Sequence, residues 1–353
     1  MALAIVEELL AGGTQIEIVL TAQGERLGVC CLPRPLTRAA PVVDAGAVVV
    51  VSGGARGVTA ACLIAWAQRC PARFVLLGRT QLLDEPAVCA GVHDGGLQRV
   101  LLADAKTRGE VLTPASLSAR VQQVQAAREI RQTLAALVVA GCSAQYRAVA
   151  VEDGAAVNAV LTEVRAKIGP IRALVHAAGV IADKRIAGKT DTQFDQVFAS
   201  KVNGLRALLD ATRQDALQLV CVFSSVSARC GNIGQADYAM ANEVLNQVIA
   251  MEKRRRPAVR AKALGWGPWE GGMVTPALRA HFTELGVPLL PLAIGAQLFV
   301  DEMHSDALQL VLGGAPPPAL PRPNAVALER QIDLLSQGWL AERLDETRSA
   351  ATL

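Results

Sequence analysis

Short, continuous apolar runs recur along the chain. Each ends in a small-residue or polar turn, and most are followed by a stretch with helical spacing. Ala47–Val51 and Leu217–Phe223 are such runs, and Phe74–Gly78, Gln145–Val151, the run from Arg172 to His176 and Val259–Leu264 also read as strands. Runs of four to eight apolar residues bounded by turn signals predict strands buried on both faces. Strands alternating with helices predict a parallel sheet covered on both sides. The fold class expected is therefore α/β, a Rossmann-like doubly wound parallel sheet.

The helical stretches carry their apolar positions at three- and four-residue spacing. They are expected over Thr59–Gln68, Pro114–Ala140, Gln193–Thr212, from Tyr238 onward, Pro276–Leu285 and Ala293–Met303, with a last strand at Leu308–Leu312. In Gln193–Thr212 the apolar face is Phe194, Val197, Val202, Leu205 and Leu208, and Lys201 falls among these positions. Residues 80–115 read as an irregular insertion rich in Pro, Gly and charge. Ahead of the first buried run, Gln15–Leu20 alternates, Thr21–Gly24 turns and Arg26–Leu32 returns, which predicts a hairpin. Prolines 33, 35 and 41 mark a linker, and the dense prolines of 313–323 end the domain. The expected division is a hairpin appendage over 1–40, an α/β domain over 41–315, and a linker and tail over 316–353.

Composition narrows this further. At 52% hydrophobic and 3% aromatic residues, the core is built of Ala, Val and Leu. A net charge of +3 is too small to argue for nucleic acid or an anionic membrane. The eight cysteines show no metal-ligand spacing, so no metal is expected and the thiols read as reduced core residues of a cytoplasmic protein. The first residues lack a basic region, so no signal peptide is expected. No uninterrupted apolar run approaches the ~18 residues of a membrane span.

Two stretches carry chemistry. Ser52, Gly53, Gly54, Ala55, Arg56, Gly57 and Val58 lie between a predicted strand and a predicted helix. Glycines there let the backbone approach a pyrophosphate that rests on the positive helix N-terminus. The next strand ends in Gly78-Arg79-Thr80, where an acidic residue would hold a ribose 2′-hydroxyl and an Arg accommodates a 2′-phosphate. Arg79, with Arg56 as a second cation, argues for NADPH. The other stretch is residues 223–242. Ser224 and Ser225 end a buried strand at the edge where ligands bind. Tyr238 and Asn242, four apart, share a helix face. A hydroxyl and a phenol converging on a carbonyl supply a donor to polarise its oxygen and an acid to protonate it.

A Ser thirteen residues before a Tyr resembles the short-chain dehydrogenase/reductase superfamily. That superfamily usually has Lys four residues after the Tyr. Here that residue is Asn242, and lysine appears instead as Lys201, in Lys-Val-Asn-Gly-Leu. This exchange, with the glycine loop, resembles the ketoreductase domains of type I polyketide synthases, and most of all those of polyunsaturated-fatty-acid synthases. The resemblance covers about residues 45–313. It implies NADPH-dependent reduction of a β-ketoacyl thioester to the β-hydroxyacyl thioester, with an acyl carrier protein, in cis or in trans, and other synthase domains as partners.

It also implies roles. Ser225 binds the carbonyl oxygen, Tyr238 is the general acid, Lys201 lowers the phenol pKa and binds the nicotinamide ribose, and Asn242 holds a water or the lysine. His176, Ala177, Ala178 and Gly179 stand where the superfamily has Asn-Asn-Ala-Gly, against the cofactor. His176 itself reads as a packed or hydrogen-bonding residue. Val151 is expected near the adenine, with Glu152 or Asp153 in place of an absent Asp at 150. Trp266 and Gly267, in Gly265-Trp-Gly-Pro-Trp269, pass the nicotinamide, although Gly265 replaces the usual Asn. Asp183, the retained end of a Leu-Asp-Asp fingerprint, is assigned with Ser224 and Met273 to substrate and stereocontrol. Cys230 stands where the opposite stereochemical type has Trp, so both features lean toward a D-3-hydroxy product. The substituted Thr59, Ala150 and Gly265 keep open a catalytically silent ketoreductase that scaffolds a synthase. A free-standing dehydrogenase on a small alcohol or ketone is the other alternative.

Overall fold

A computed structural model describes residues 2–11, 18–28, 42–272, 274, 276–284 and 286–313. These belong to a unit spanning Met1–Gly314. The proline linkers at 33–41 and 314–323, the tail over 316–353 and Met273 lie outside the described residues.

The strands are β1 (Ile18–Leu20), β2 (Arg26–Gly28), β3 (Val48–Ser52), β4 (Arg73–Gly78), β5 (Ser143–Ala148), β6 (Ile171–His176), β7 (Leu219–Ser225), β8 (Arg260–Trp266) and β9 (Gln309–Leu312). The helices are α1 (Ala2–Ala11), α2 (Gly57–Ala67), α3 (Leu97–Thr107), α4 (Pro114–Val139), α5 (Gly154–Lys167), α6 (Asp191–Phe198), α7 (Gly204–Ala211), α8 (Ser227–Cys230), α9 (Ala236–Arg255), α10 (Pro276–Glu284) and α11 (Leu292–Met303). β1 and β2 pair as the expected antiparallel hairpin. The other seven form one parallel sheet in the order β5-β4-β3-β6-β7-β8-β9.

Strand alternation divides the core. Val49 and Val51 of β3 face a cluster with Cys62, Leu63 and Trp66 of α2, Ile130 of α4 and Phe299 of α11. Val48 and Val50 face the opposite side, with Val157 and Leu161 of α5, Leu205 of α7 and Leu245 of α9. Burial on both faces explains why these strands read as unbroken apolar runs. The sheet grows from β3 to β4 and β5, and the chain then returns to place β6 on the other side of β3. The ends of β3 and β6 thus frame a topological switch point, where open α/β sheets bind ligands.

Helices α1, α5 and α8 are additional to those expected, and two further differences stand out. The insertion over 80–115 holds α3, whose buried Leu97, Leu101 and Ala105 are spaced four apart and pack in a third cluster with Cys89, Leu117 and Val124. The stretch expected as one helix over 193–212 is broken into α6, a π-helical turn over Ala199–Asn203 and α7. Single π turns inside helices recur at functional sites because they re-aim side chains, and this one carries Lys201.

Candidate active site

At the switch point, Gly53 takes φ +72°, and a Cβ there would stand 2.7 Å from the amide nitrogen of Ala178. Only a glycine lets the exits of β3 and β6 approach this closely. Arg56 is the N-cap of α2 in an extended conformation, and no side chain caps the helix. The N-terminal amides and dipole of α2 therefore face the glycine turn free of a side-chain acceptor, which suits an anionic group. Ala55 is buried in the core cluster, and Gly57 carries a second positive φ, +59°. Arg56 pairs with Glu129 of α4 at 2.6 Å, both half-exposed. Arg79 is exposed just beyond β4. The Tyr146 hydroxyl donates to the Thr80 carbonyl at 2.9 Å and holds the turn on which Arg79 sits. These residues fit a phosphate-bearing dinucleotide.

Beneath the turn lies a buried polar relay. The Ser52 hydroxyl is 2.7 Å from His176 Nδ1, and His176 Nε2 is 2.9 Å from the Lys201 carbonyl oxygen. A carbonyl only accepts, so Nε2 carries the proton and Nδ1 accepts from Ser52. Burial, reinforced by the Lys201 cation, lowers the His176 pKa to about 3, so the ring is neutral. With both nitrogens engaged by protein, His176 offers none to a ligand. Its assignment as a cofactor contact is corrected to that of a strut under the glycine turn and the π turn. Ser52, fully buried, likewise turns its hydroxyl inward.

Lys201 is 3% exposed. Its ammonium donates to the Phe223 carbonyl oxygen at 3.2 Å and stands 5.2 Å from the centroid of the Tyr238 ring. A Cβ at position 179 would meet Lys201 Cε at 3.0 Å, so Gly179 leaves room for the lysine stem. Desolvation lowers the Lys201 pKa to about 8.

Tyr238 stands in the first turn of α9 and Ser225 ends β7. The Ser227 amide and hydroxyl donate to Ser225 Oγ at 3.1 and 2.9 Å. With its lone pairs so occupied, Ser225 keeps its own proton to donate outward. Burial raises the Tyr238 pKa above the usual phenol value, Asp183 raises it further, and hydrogen bonds with Asn242 and Ser225 oppose the rise. The expected lowering is thus corrected: in the protein alone, desolvation outweighs the hydrogen bonds that oppose it. Asn242 is fully buried. Its Nδ2 donates to the Tyr238 carbonyl oxygen at 2.8 Å, which leaves Oδ1 as a buried acceptor without a partner. That orphaned oxygen suits a water or an ammonium donor. Lys201 thus stands by the Tyr238 ring, Asn242 holds the Tyr238 backbone carbonyl, and Ser225 is a hydrogen-bonding neighbour of the phenol.

Beside them Asp183 meets residues that the sequence did not single out, Lys189, Gln235 and Asp237. Lys189 donates to Asp237 Oδ2 and to the Ala182 carbonyl oxygen, each at 2.7 Å, while Asp237 Oδ1 accepts the Tyr238 amide at 2.9 Å. Gln235 donates to Asp183 Oδ2 at 2.9 Å. Partial desolvation is the main cause raising the Asp183 pKa, with Gln235 lowering it, Asp237 raising it and Lys189 lowering it. Lys189 and Asp237 lie 48 positions apart, so only the acidic neighbour of the tyrosine was a visible signal.

Several other assignments change. Ser224 is 4% exposed and its hydroxyl donates to the Asn242 carbonyl oxygen at 3.2 Å, because it continues the Val220–Val222 row toward α9. Its assignment to the substrate is corrected to anchoring α9. Trp266 is buried against Phe223 and Trp269, at centroid distances of 5.6 and 4.7 Å, and packs the core instead of lining a cofactor surface. At Gly267 a Cβ would lie 2.1 Å from the Gly313 carbonyl oxygen, and at Gly265 one would lie 2.9 Å from that of Leu310. The close approach of β9 explains why no Asn fits at 265. Val151 is buried against the helical layer. Asp153 is occupied as the N-cap of α5, accepting from the Ala156 amide at 3.0 Å, whereas Glu152 keeps a buried Oε2 without a partner.

Residues 47–271 match the family model described as the KR domain. Over 359 aligned residues the chain is 32% identical to a component of the polyunsaturated fatty acid synthase of Thraustochytrium sp., a match that covers 98% of this chain and 13% of that protein. It is 32% identical over 206 residues to an erythronolide synthase of Saccharopolyspora erythraea, covering 58% of this chain and 6% of that one. The chain thus spans a small fraction of the length of these relatives. Among solved structures, a ketoreductase domain from the bacillaene assembly line superposes with TM-score 0.64 at 24% identity, covering 84% of this chain and 62% of that one. A ketoreductase from the first module of phoslactomycin biosynthesis in Streptomyces superposes with TM-score 0.61 at 26% identity, covering 81% and 55%.

Proposed function

The chain belongs to the KR (ketoreductase) domain family, oxidoreductases of the short-chain dehydrogenase/reductase fold, and from that premise we propose that it reduces a β-ketoacyl thioester to the β-hydroxyacyl thioester with NADPH. The acyl group is carried by an acyl carrier protein, and the chain works beside other domains of a polyketide or polyunsaturated fatty acid synthase. The proposed α/β catalytic domain spans 41–315. One observation carries this reading: Lys201 and Ser225 neighbour the Tyr238 side chain, and Asn242 bonds its backbone carbonyl.

NADPH, when bound, supplies the hydride. The chain's own residues do the rest. The glycine turn and the α2 N-terminus would hold the pyrophosphate, and Arg79, with Arg56 once released from Glu129, would take the 2′-phosphate. Gly179, Ala178 and Ala177 leave the nicotinamide side open to backbone contact. Ser225 donates its proton to the carbonyl oxygen, since its own lone pairs are filled by Ser227. Tyr238 gives the proton that completes the alcohol. The Lys201 cation under the ring stabilises the phenolate that remains. Asn242 Oδ1 accepts from the water or ammonium that returns a proton to Tyr238.

The test is NADPH oxidation, followed by absorbance, with a β-ketoacyl N-acetylcysteamine thioester. Turnover is expected with NADPH and far less with NADH, and Arg79→Ala should raise the NADPH KM about tenfold while leaving the NADH rate unchanged. Tyr238→Phe should bind NADPH and lose nearly all turnover. An active Tyr238→Phe variant, or equal use of NADH, contradicts the assignment.

A further inference from the structure

The segment leaving β6 and the turn entering α9 are joined by a ladder of contacts. The Lys184 amide donates to the Gly234 carbonyl oxygen at 2.9 Å, and Gln235 donates to Asp183. Last comes the Lys189–Asp237 ion pair, in which the side chains are 8% and 1% exposed. Two charges removed from water persist only when each is paired and its remaining hydrogen-bonding positions are used. That condition is met here: Lys189 also binds Ala182, and Asp237 also binds the Tyr238 amide.

The position of Asp237 matters as much as its burial. The N-cap of α9, Gln235, makes no side-chain capping bond. Asp237 instead accepts an amide of the first turn, and it does so on the residue that carries the phenol. Its charge also lies near the positive end of the helix. On the other side, Lys189 immediately precedes Thr190, the N-cap of α6, which closes a capping box with Gln193. α6 runs directly into the π turn bearing Lys201. One ion pair thus links the start of the helix that leads to Lys201 with the start of the helix that presents Tyr238.

We propose that Lys189 and Asp237 are a positioning pair that sets Tyr238 in register with Lys201 and Ser225, and clamps the 182–189 segment over the substrate side of the site. The proposal rests on the reading of Tyr238 as the general acid. Neither residue touches the reacting atoms. Their effect is on where the phenol stands, and a displacement of about 1 Å at a reacting group can cost on the order of 100-fold in rate.

The experiment compares wild type, Tyr238→Phe, Asp237→Asn, Lys189→Met and the double variant Lys189→Met/Asp237→Asn, measuring kcat, KM for the thioester and NADPH Kd. Asp237→Asn keeps the side-chain shape and an oxygen for the Tyr238 amide while removing the charge. Its kcat should fall about 10- to 100-fold with NADPH Kd within twofold of wild type. Lys189→Met should behave alike, and the double variant should be no worse than the poorer single, because each residue acts through the other. An Asp237→Asn kcat within threefold of wild type, or losses that multiply in the double variant, would overturn the proposal. So would loss of NADPH binding in Asp237→Asn, since the pair would then hold the whole fold and not the phenol. A silent wild type or an active Tyr238→Phe defeats the reading of Tyr238, and the inference with it. A normal Asp237→Asn beside an active wild type defeats the inference alone.

Discussion

His176 makes a sharp prediction because its ring is neutral, fully buried and bonded at both nitrogens. Its pKa is about 3 in the fold and 6.5 as an unperturbed side chain. Below pH 6.5 the unfolded chain takes up a proton at this position that the folded chain refuses. The stability this residue lends is therefore complete above 6.5 and drains away as pH falls toward 3. Well inside that window each pH unit is worth about 1.4 kcal/mol, and because the unfolded residue is already half protonated at pH 6.5, wild type should lose about 2.3 kcal/mol between pH 6.5 and 4.5 through this group alone. His176→Asn has no such proton to take up. At pH 7.5 the variant should be less stable by about 1–3 kcal/mol, since an amide in place of the ring leaves Ser52 or the Lys201 carbonyl unpaired. At pH 4.5 that gap should close or reverse. Urea unfolding followed by the fluorescence of Trp66, Trp266 and Trp269, all buried, reads both values. Acid effects shared by the two proteins cancel in the difference. A gap equal at the two pH values, within about 0.5 kcal/mol, would refute the neutral, doubly bonded ring and with it the strut beneath Lys201.

Two further outcomes follow from the same geometry. Gly53→Ala would place its methyl 2.7 Å from the Ala178 amide on a backbone at φ +72°. A lowered melting temperature, with at least about 1–2 kcal/mol of stability lost and NADPH Kd raised tenfold or more, is the expected result of thermal denaturation and cofactor titration. Lys201, with a pKa of about 8, is charged below that value and neutral above it. The profile of kcat/KM should accordingly fall as pH rises through 8, about tenfold per unit at its limit, and a profile flat to pH 9.5 would show that the charge is not required.

Much of the sheet and the glycine turn after β3 could be read from the sequence because the information there is local. A strand buried on both faces must be an unbroken apolar run, as at Val48–Val51, and a backbone that meets another at 2.7 Å must be glycine, as at Gly53. The hairpin and most helices were legible in the same way, through periods of two and 3.6. α3 was hidden inside the insertion because its leucines, four apart, are interleaved with charge and flanked by glycine and proline.

What the sequence left open concerns contacts between distant segments. Ser224 and Ser225 are chemically alike, and only the direction of the last strand residues sends one hydroxyl into α9 and leaves the other at the edge. A helical period over 193–212 cannot reveal a π turn, which arises where the helix must bring Lys201 up to Phe223 and Tyr238. The tyrosine pKa moves up and not down because desolvation depends on everything packed around the ring. Lys189 and Asp237 look like two surface charges until the fold buries them against each other. Periodicity and turn chemistry, being local, determined the scaffold. Burial, tautomer and ion pairing follow from which segments the tertiary structure brings together, so the fold alone decided how the residues around Tyr238 are aimed.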